Sequence, residues 1–123
     1  MTKEALNIIS KSMKSIGVPY KFMRFNGKVE YPYFVGEYAD TEPVNEDGLE
    51  ESTFLLTGFH RGTWLELENT KDKIKKKLDE YKAITDTGSA VAIFYAGAQP
   101  IDTGDAELKR IQINLKVKEW KVK

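Results

Sequence analysis

The chain has 123 residues with 19 basic and 19 acidic side chains, no Cys and one His, His60. That length suits one domain, residues 1–123, able to bury roughly two-thirds of the surface its unfolded form exposes. The missing thiols exclude thiolate catalysis, disulfides and thiolate zinc or iron–sulfur sites, the single His excludes a His-rich metal centre, and zero net charge argues against a general nucleic-acid binder.

No apolar run is long enough to span a bilayer, and Met1-Thr2-Lys3-Glu4 has no signal-peptide core, so the sequence reads as a soluble cytoplasmic protein with no membrane partner. Its neutrality conceals segregation. Residues 1–36 carry six basic and two acidic groups, 37–56 none and seven, 57–107 seven and nine, and 108–123 six and one. Basic ends therefore flank an acidic segment. A protein that touches itself or a complementary surface shows this asymmetry, and so does a solvated loop.

In chain order, Leu6, Ile9, Met13 and Ile16 recur at helical spacing, with Gly17 as a left-handed cap and Pro19 as a stop. Tyr20 to Phe25 reads as a strand, and Asn26-Gly27 is a hairpin signal that returns the chain through Val29 and Tyr31. Pro32 interrupts this hairpin before Tyr33 to Tyr38 resumes as a strand. Asp40 to Leu49 holds Pro43, Asn45, Asp47 and Gly48 and reads as a loop.

Thr53 to Phe59 is apolar at both parities, as a central strand covered on both faces would be. Thr63 with Glu66 three residues later has the form of a capping box. Behind it Trp64, Leu67, Ile74, Leu78 and Tyr81 share one helical stripe, the stem of Lys71 filling a gap. Thr85 to Ser89 reads as a turn, Val91 to Ala96 as another strand apolar at both parities, and Gly97 to Glu107 as a long loop. In the last strand Ile111, Ile113, Leu115 and Val117 alternate with polar residues from Arg110 to Lys118. Past Val117 the phase slips to Trp120 and Val122, which predicts a bulge or a departure from the sheet.

The order helix, three strands, helix, two strands predicts an α+β domain: a mixed, mostly antiparallel sheet of about four to five strands with two amphipathic helices packed mainly on one face. Two helices leave the second face of such a sheet to another subunit or to solvent. An exposed apolar patch there marks an interaction site.

Catalytic and metal-ligating constellations all have plainer readings. His60 beside Arg61 lacks a nucleophile motif and reads as a packed or solvated histidine at a strand end. Asp102, Asp105 and Glu107 around Gly104 lack the calcium-loop pattern and read as a turn. Lys71, Lys73, Lys75, Lys76 and Lys77 alternate with Glu68, Asp72, Asp79 and Glu80 as a solvated helix face does. Arg110, Lys116 and Lys118 lack interleaved aromatics, so the wet face of the last strand is a better match for an acidic protein surface than for nucleic acid. No cofactor-binding or phosphate-binding loop is present.

The succession Tyr31-Pro32-Tyr33-Phe34-Val35-Gly36-Glu37, the acidic Thr41-Glu42-Pro43 loop, Gly48-Leu49 through Thr57-Gly58-Phe59, and a helix ending Ile74-Lys75-Lys76-Lys77-Leu78 resembles the tail terminator, or tail completion, proteins of long-tailed bacteriophages and prophages. The resemblance spans roughly residues 1–120 in order of elements. It implies a virion structural protein and not an enzyme, assembled in the bacterial cytoplasm as a ring, commonly a hexamer. Such a ring sits on the end of the tail tube, stops its growth and presents a surface to the head connector. The partners implied are the chain itself, the tail-tube protein and the head connector, with no sequence-specific nucleic acid.

A ring needs a heterologous interface, one patch meeting a different patch on the next copy. Glu37, Asp40, Glu42, Glu46 and Asp47 on one side, and Arg61, Arg110, Lys116 and Lys118 on the other, are the candidate interface residues, with apolar residues of the uncovered face between them. A head-closure or connector component, a small monomeric ligand-binding domain, and a hydrolase or transferase using His60 with a carboxylate are the competing readings.

Overall fold

A computed structural model of the chain describes residues 1–40 and 48–120. In chain order it contains α1 (Lys3–Ser15), β1 (Tyr20–Phe22), β2 (Tyr33–Asp40), β3 (Leu49–His60), α2 (Trp64–Leu78), β4 (Tyr81–Ile84), β5 (Ala90–Ile101) and β6 (Lys109–Trp120). The strands form one sheet in the order β1-β2-β3-β6-β5-β4. All neighbours are antiparallel except β1 and β2, which are parallel. The architecture is thus α+β with a mixed, mostly antiparallel sheet, and six strands replace the four to five expected.

The centre is the pairing of β3 with β6 along their whole length, from Leu49 opposite Trp120 to His60 opposite Lys109. One face of the sheet presents Phe54, Leu56, Ile111, Ile113, Leu115 and Val117 to both helices. Ile9 and Met13 of α1 and Leu67, Ile74 and Leu78 of α2 complete this core, each with no accessible surface. Burying such side chains contributes about 1.5–3 kcal/mol apiece, which fixes the helices on this face.

Both helices start as their sequences dictate. The Thr2 hydroxyl accepts the Ala5 N–H at 3.2 Å, and Thr63 and Glu66 form the full reciprocal capping box. The buried stripe of α2 begins one turn late, at Leu67. Trp64 and Leu65 in the first turn are 42% and 69% exposed.

Four local expectations give way to longer-range pairing. Asn26-Gly27 does not close a hairpin, because β1 runs parallel to β2 and the ten residues between them cross over. Tyr81 opens β4 instead of ending α2: Glu80 takes a left-handed conformation (φ 57°) and turns the chain back onto the sheet. Gly97 to Ile101 belongs to β5, since an irregularity between Tyr95 and Ala98, with Gly97 at φ 118°, absorbs the break and lets pairing with β6 resume. Residues 49–52, expected to end the loop or follow it, extend β3; the rest of the predicted acidic loop, 41–47, lies outside the described residues, as does Val122.

No bulge follows Val117. Strand β6 keeps its register to Trp120, and the apparent slip arises because Glu119, not an apolar residue, occupies the next buried position. Its carboxylate accepts the Thr2 hydroxyl and, at 3.3 Å, the Thr2 backbone N–H, so a buried charge is satisfied by the start of α1.

Candidate interaction surface

The face turned away from both helices has no helix over it among the described residues. Registered rows run across it. Tyr33, Phe59, Arg110 and Ile101 form the first, Val35, Thr57, Gln112 and Gln99 the second, and Glu37, Leu55 and Asn114 the third. Ala39, Thr53, Lys116 and Phe94 follow, then Glu51, Lys118, Ala92 and Lys82, and finally Leu49, Trp120, Ala90 and Ile84. The expected cover on both faces is therefore met on one. Phe54 and Leu56 are fully buried, while Leu55 and Phe59 of the same strand are half-buried.

Aromatic rings gather at the first row. Tyr33 stacks on Phe59 at 5.2 Å, and Phe25 and Tyr31 lie 4.9 Å and 5.6 Å from Tyr33. Arg110 lies over Phe59 at 5.7 Å and Arg61 over Tyr31 at 5.9 Å. The Arg61 Nε donates to the Tyr31 hydroxyl at 3.3 Å, and its guanidinium faces Asp105 at 3.8 Å. Burial pushes the Tyr33 phenol up, assisted by Tyr31 and opposed by Arg61. Lys118 lies over Phe94 at 5.9 Å. The basic strand is thus interleaved with aromatics after all, supplied by β3 and β5. The sequence of β6 alone could not show this, because the interleaving depends on which strands pair with it.

The candidate interface residues separate. Glu37 is exposed in the third row, and Lys116 is exposed opposite Thr53. Asp40 lies at the other parity, where its carboxylate accepts the Met1 amino group at 2.7 Å and the Ser52 hydroxyl. Glu42, Glu46 and Asp47 fall outside the described residues. The acidic start of β3 and the basic end of β6 are neighbours in one copy, with Glu51 and Lys118 paired at 3.8 Å. At this point the charge complementarity expected between copies is already met within one.

His60 is buried on the helix side. Its Nε2 is 3.3 Å from Glu66, while its Nδ1 has no hydrogen-bond partner among the described residues. The Glu66 carboxyl is held below its usual range, first by the Thr63 backbone N–H, then by the Thr63 hydroxyl and His60. These groups knit the strand-to-helix turn. In the 102–107 turn, Asp102 accepts the Gly104 N–H and Asp105 the Glu107 N–H, each at 2.9 Å, as turn carboxylates do. No group of three His, Asp or Glu side chains suited to a metal occurs among the described residues. Lys71, half-buried on α2, pairs with Glu68 at 2.6 Å.

A concave groove of about 570 Å³ lies at the far end of the open face, lined mainly by Ile84, Ala90, Ala92, Phe94 and Trp120, with Lys82 and Lys118 at its rim. Sequence reasoning missed it, because Ile84 sits in a strand to which the sequence pattern assigns no element and Trp120 in a stretch expected to bulge or leave the sheet. No protein-family model matches the chain, and no curated protein matches it.

Proposed function

We propose that the chain is a structural subunit of a long-tailed phage or prophage particle, a tail terminator that assembles into a ring on the end of the tail tube. The observation that carries this reading is the open sheet face: a half-apolar surface, with its aromatic corner and groove, on the side away from both helices. A surface of this kind is stable in water when a neighbouring molecule covers part of it. The segment Tyr31 to Glu37, which carries the family resemblance, contributes Tyr33, Val35 and Glu37 to this face. In this role the protein ends tube growth by occupying the tube end and offers its opposite surface to the head connector.

Tube assembly in the presence of the protein tests the reading. Tail-tube subunits from the same genome polymerise into tubes of unrestricted length when alone. With the protein added, electron microscopy should show capped tubes of restricted length that accept heads. Tubes that grow unaltered would remove the terminator role, and heads that gain a closure ring without tubes present would assign the chain to the head connector instead.

A further inference from the structure

The two outer edges of the sheet differ in the side chains they expose and in the charge of the segments that form them. The sheet is six strands wide, which sets these edges about 24 Å apart at the usual strand spacing. Strand β1 forms one and β4 the other, and among the described residues neither has an outer strand partner. Such edges offer unpaired backbone N–H and C=O groups.

The β1 edge exposes apolar side chains. Met23 has a left-handed backbone (φ 68°), with its N–H on the Gly36 carbonyl at 2.7 Å and the Arg24 N–H on the Phe22 carbonyl at 2.8 Å. This tight turn ends β1 and leaves Met23 62% exposed beside Phe22, which is 40% exposed and stacked on Tyr38 at 6.0 Å. Strain of this kind in a bulky residue marks a conformation that the surroundings impose.

The β4 edge is concave. The open-face groove floored by Phe94 and Trp120 runs up to Ile84, which is 73% exposed. A second groove of about 450 Å³ lies on the helix side of the same strand, between Tyr81 and α1. Charge follows the same division. Residues 20–28 carry Lys21, Arg24 and Lys28 and no carboxylate, whereas 79–86 carry Asp79, Glu80 and Asp86 against Lys82. Glu4, Lys11, Lys77 and Asp86 border the helix-side groove and Lys82 and Lys118 the open-face one, so the carboxylates offered at this edge are chiefly the flanking Asp79, Glu80 and Asp86.

We infer that the β1 edge of one copy, led by Phe22 and Met23, seats against the β4 edge of the next, with Met23 entering the groove beside Ile84 and Lys21 and Arg24 facing Glu80 and Asp86. This rests on the self-association in the proposed function and gives it a joint. One patch meets a different patch at the opposite side of the molecule, the heterologous arrangement from which rings close. Copies joined this way carry their open faces on one continuous wall.

Because the chain has no Cys, engineered disulfides report the joint directly. The double variant Met23→Cys/Ile84→Cys, oxidised at rising protein concentration, should give a ladder of linked multimers on a non-reducing denaturing gel. An equimolar mixture of the two single variants should stop at linked pairs containing one of each. A second arm does not depend on cysteine geometry. Lys21→Glu/Arg24→Glu and Glu80→Lys/Asp86→Lys should each weaken association by about tenfold or more in low salt, and their mixture should restore it. No ladder, or a mixture that behaves like its separate components, overturns the joint. If wild-type rings persist in that case, the terminator reading survives. A protein that forms the ladder yet leaves tube growth unaltered overturns the terminator reading and keeps the joint.

Discussion

The Glu119 carboxylate accepts the Thr2 backbone N–H at 3.3 Å, so the penultimate described residue of the last strand caps the first helix. Without that acceptor the N–H and hydroxyl of Thr2, the residue that caps α1, would lose their partner. Glu119→Ala should therefore cost about 1–3 kcal/mol in urea unfolding. Thr2→Ala, which removes the cap hydroxyl, should cost about 1 kcal/mol. The two changes should be less than additive, because they break one shared contact.

Adjacent leucines test which face is covered. Leu56 has no accessible surface and touches the core, whereas Leu55 points to the open face. Leu56→Ala should lose about 2–5 kcal/mol through cavity formation. Leu55→Ala should stay within about 1 kcal/mol of wild type in the unassembled protein. Equal losses would mean that the described sheet is covered on both faces.

Gly58 is required by the ring across from it. A Cβ there would come within 2.3 Å of the Phe34 ring, and Phe34 is fully buried. Gly58→Ala should destabilise by about 1–3 kcal/mol through overpacking. Combining it with Phe34→Leu should cost less than the sum of the single changes, a result that a thermal-melt double-mutant cycle would read.

Alkaline pH should unfold the protein in a defined window. Burial pushes the Tyr20 phenol from 10.0 up to about 12. Between these values the folded chain keeps a proton that the unfolded chain releases, so stability present below pH 10.0 falls as pH rises through about 12. Tyr33 is also raised by burial and acts in the same direction. Tyr20→Phe should flatten part of the decline in denaturant midpoint across this range.

The legible parts of the fold were those written in local chemistry. The Thr63–Glu66 box, the Ile9 and Met13 stripe and the alternation Ile111 to Val117 each state their own structure, and each forms as read. What was hidden depended on distant partners. Asn26-Gly27 has the chemistry of a hairpin turn, but the partner of β1 is fixed by the parallel register that places Tyr20 opposite Phe34. Glu119 looks like a surface charge until Thr2 is placed beside it. The interface charges were assigned by segment, and segment charge does not reveal that Glu51 and Lys118 face each other across β3 and β6. The groove depends on Ile84, Phe94 and Trp120 from three strands, and no window of sequence contains all of them.

Native mass spectrometry of the protein, alone across a concentration series and then mixed with tail-tube ends, tests most directly whether copies of the chain assemble into a closed ring. A single discrete multiple of the protomer mass, reached at high concentration or on the tube end without a continuing series of larger species, is the result expected of a closing ring. A mass of one protomer under every condition would contradict it.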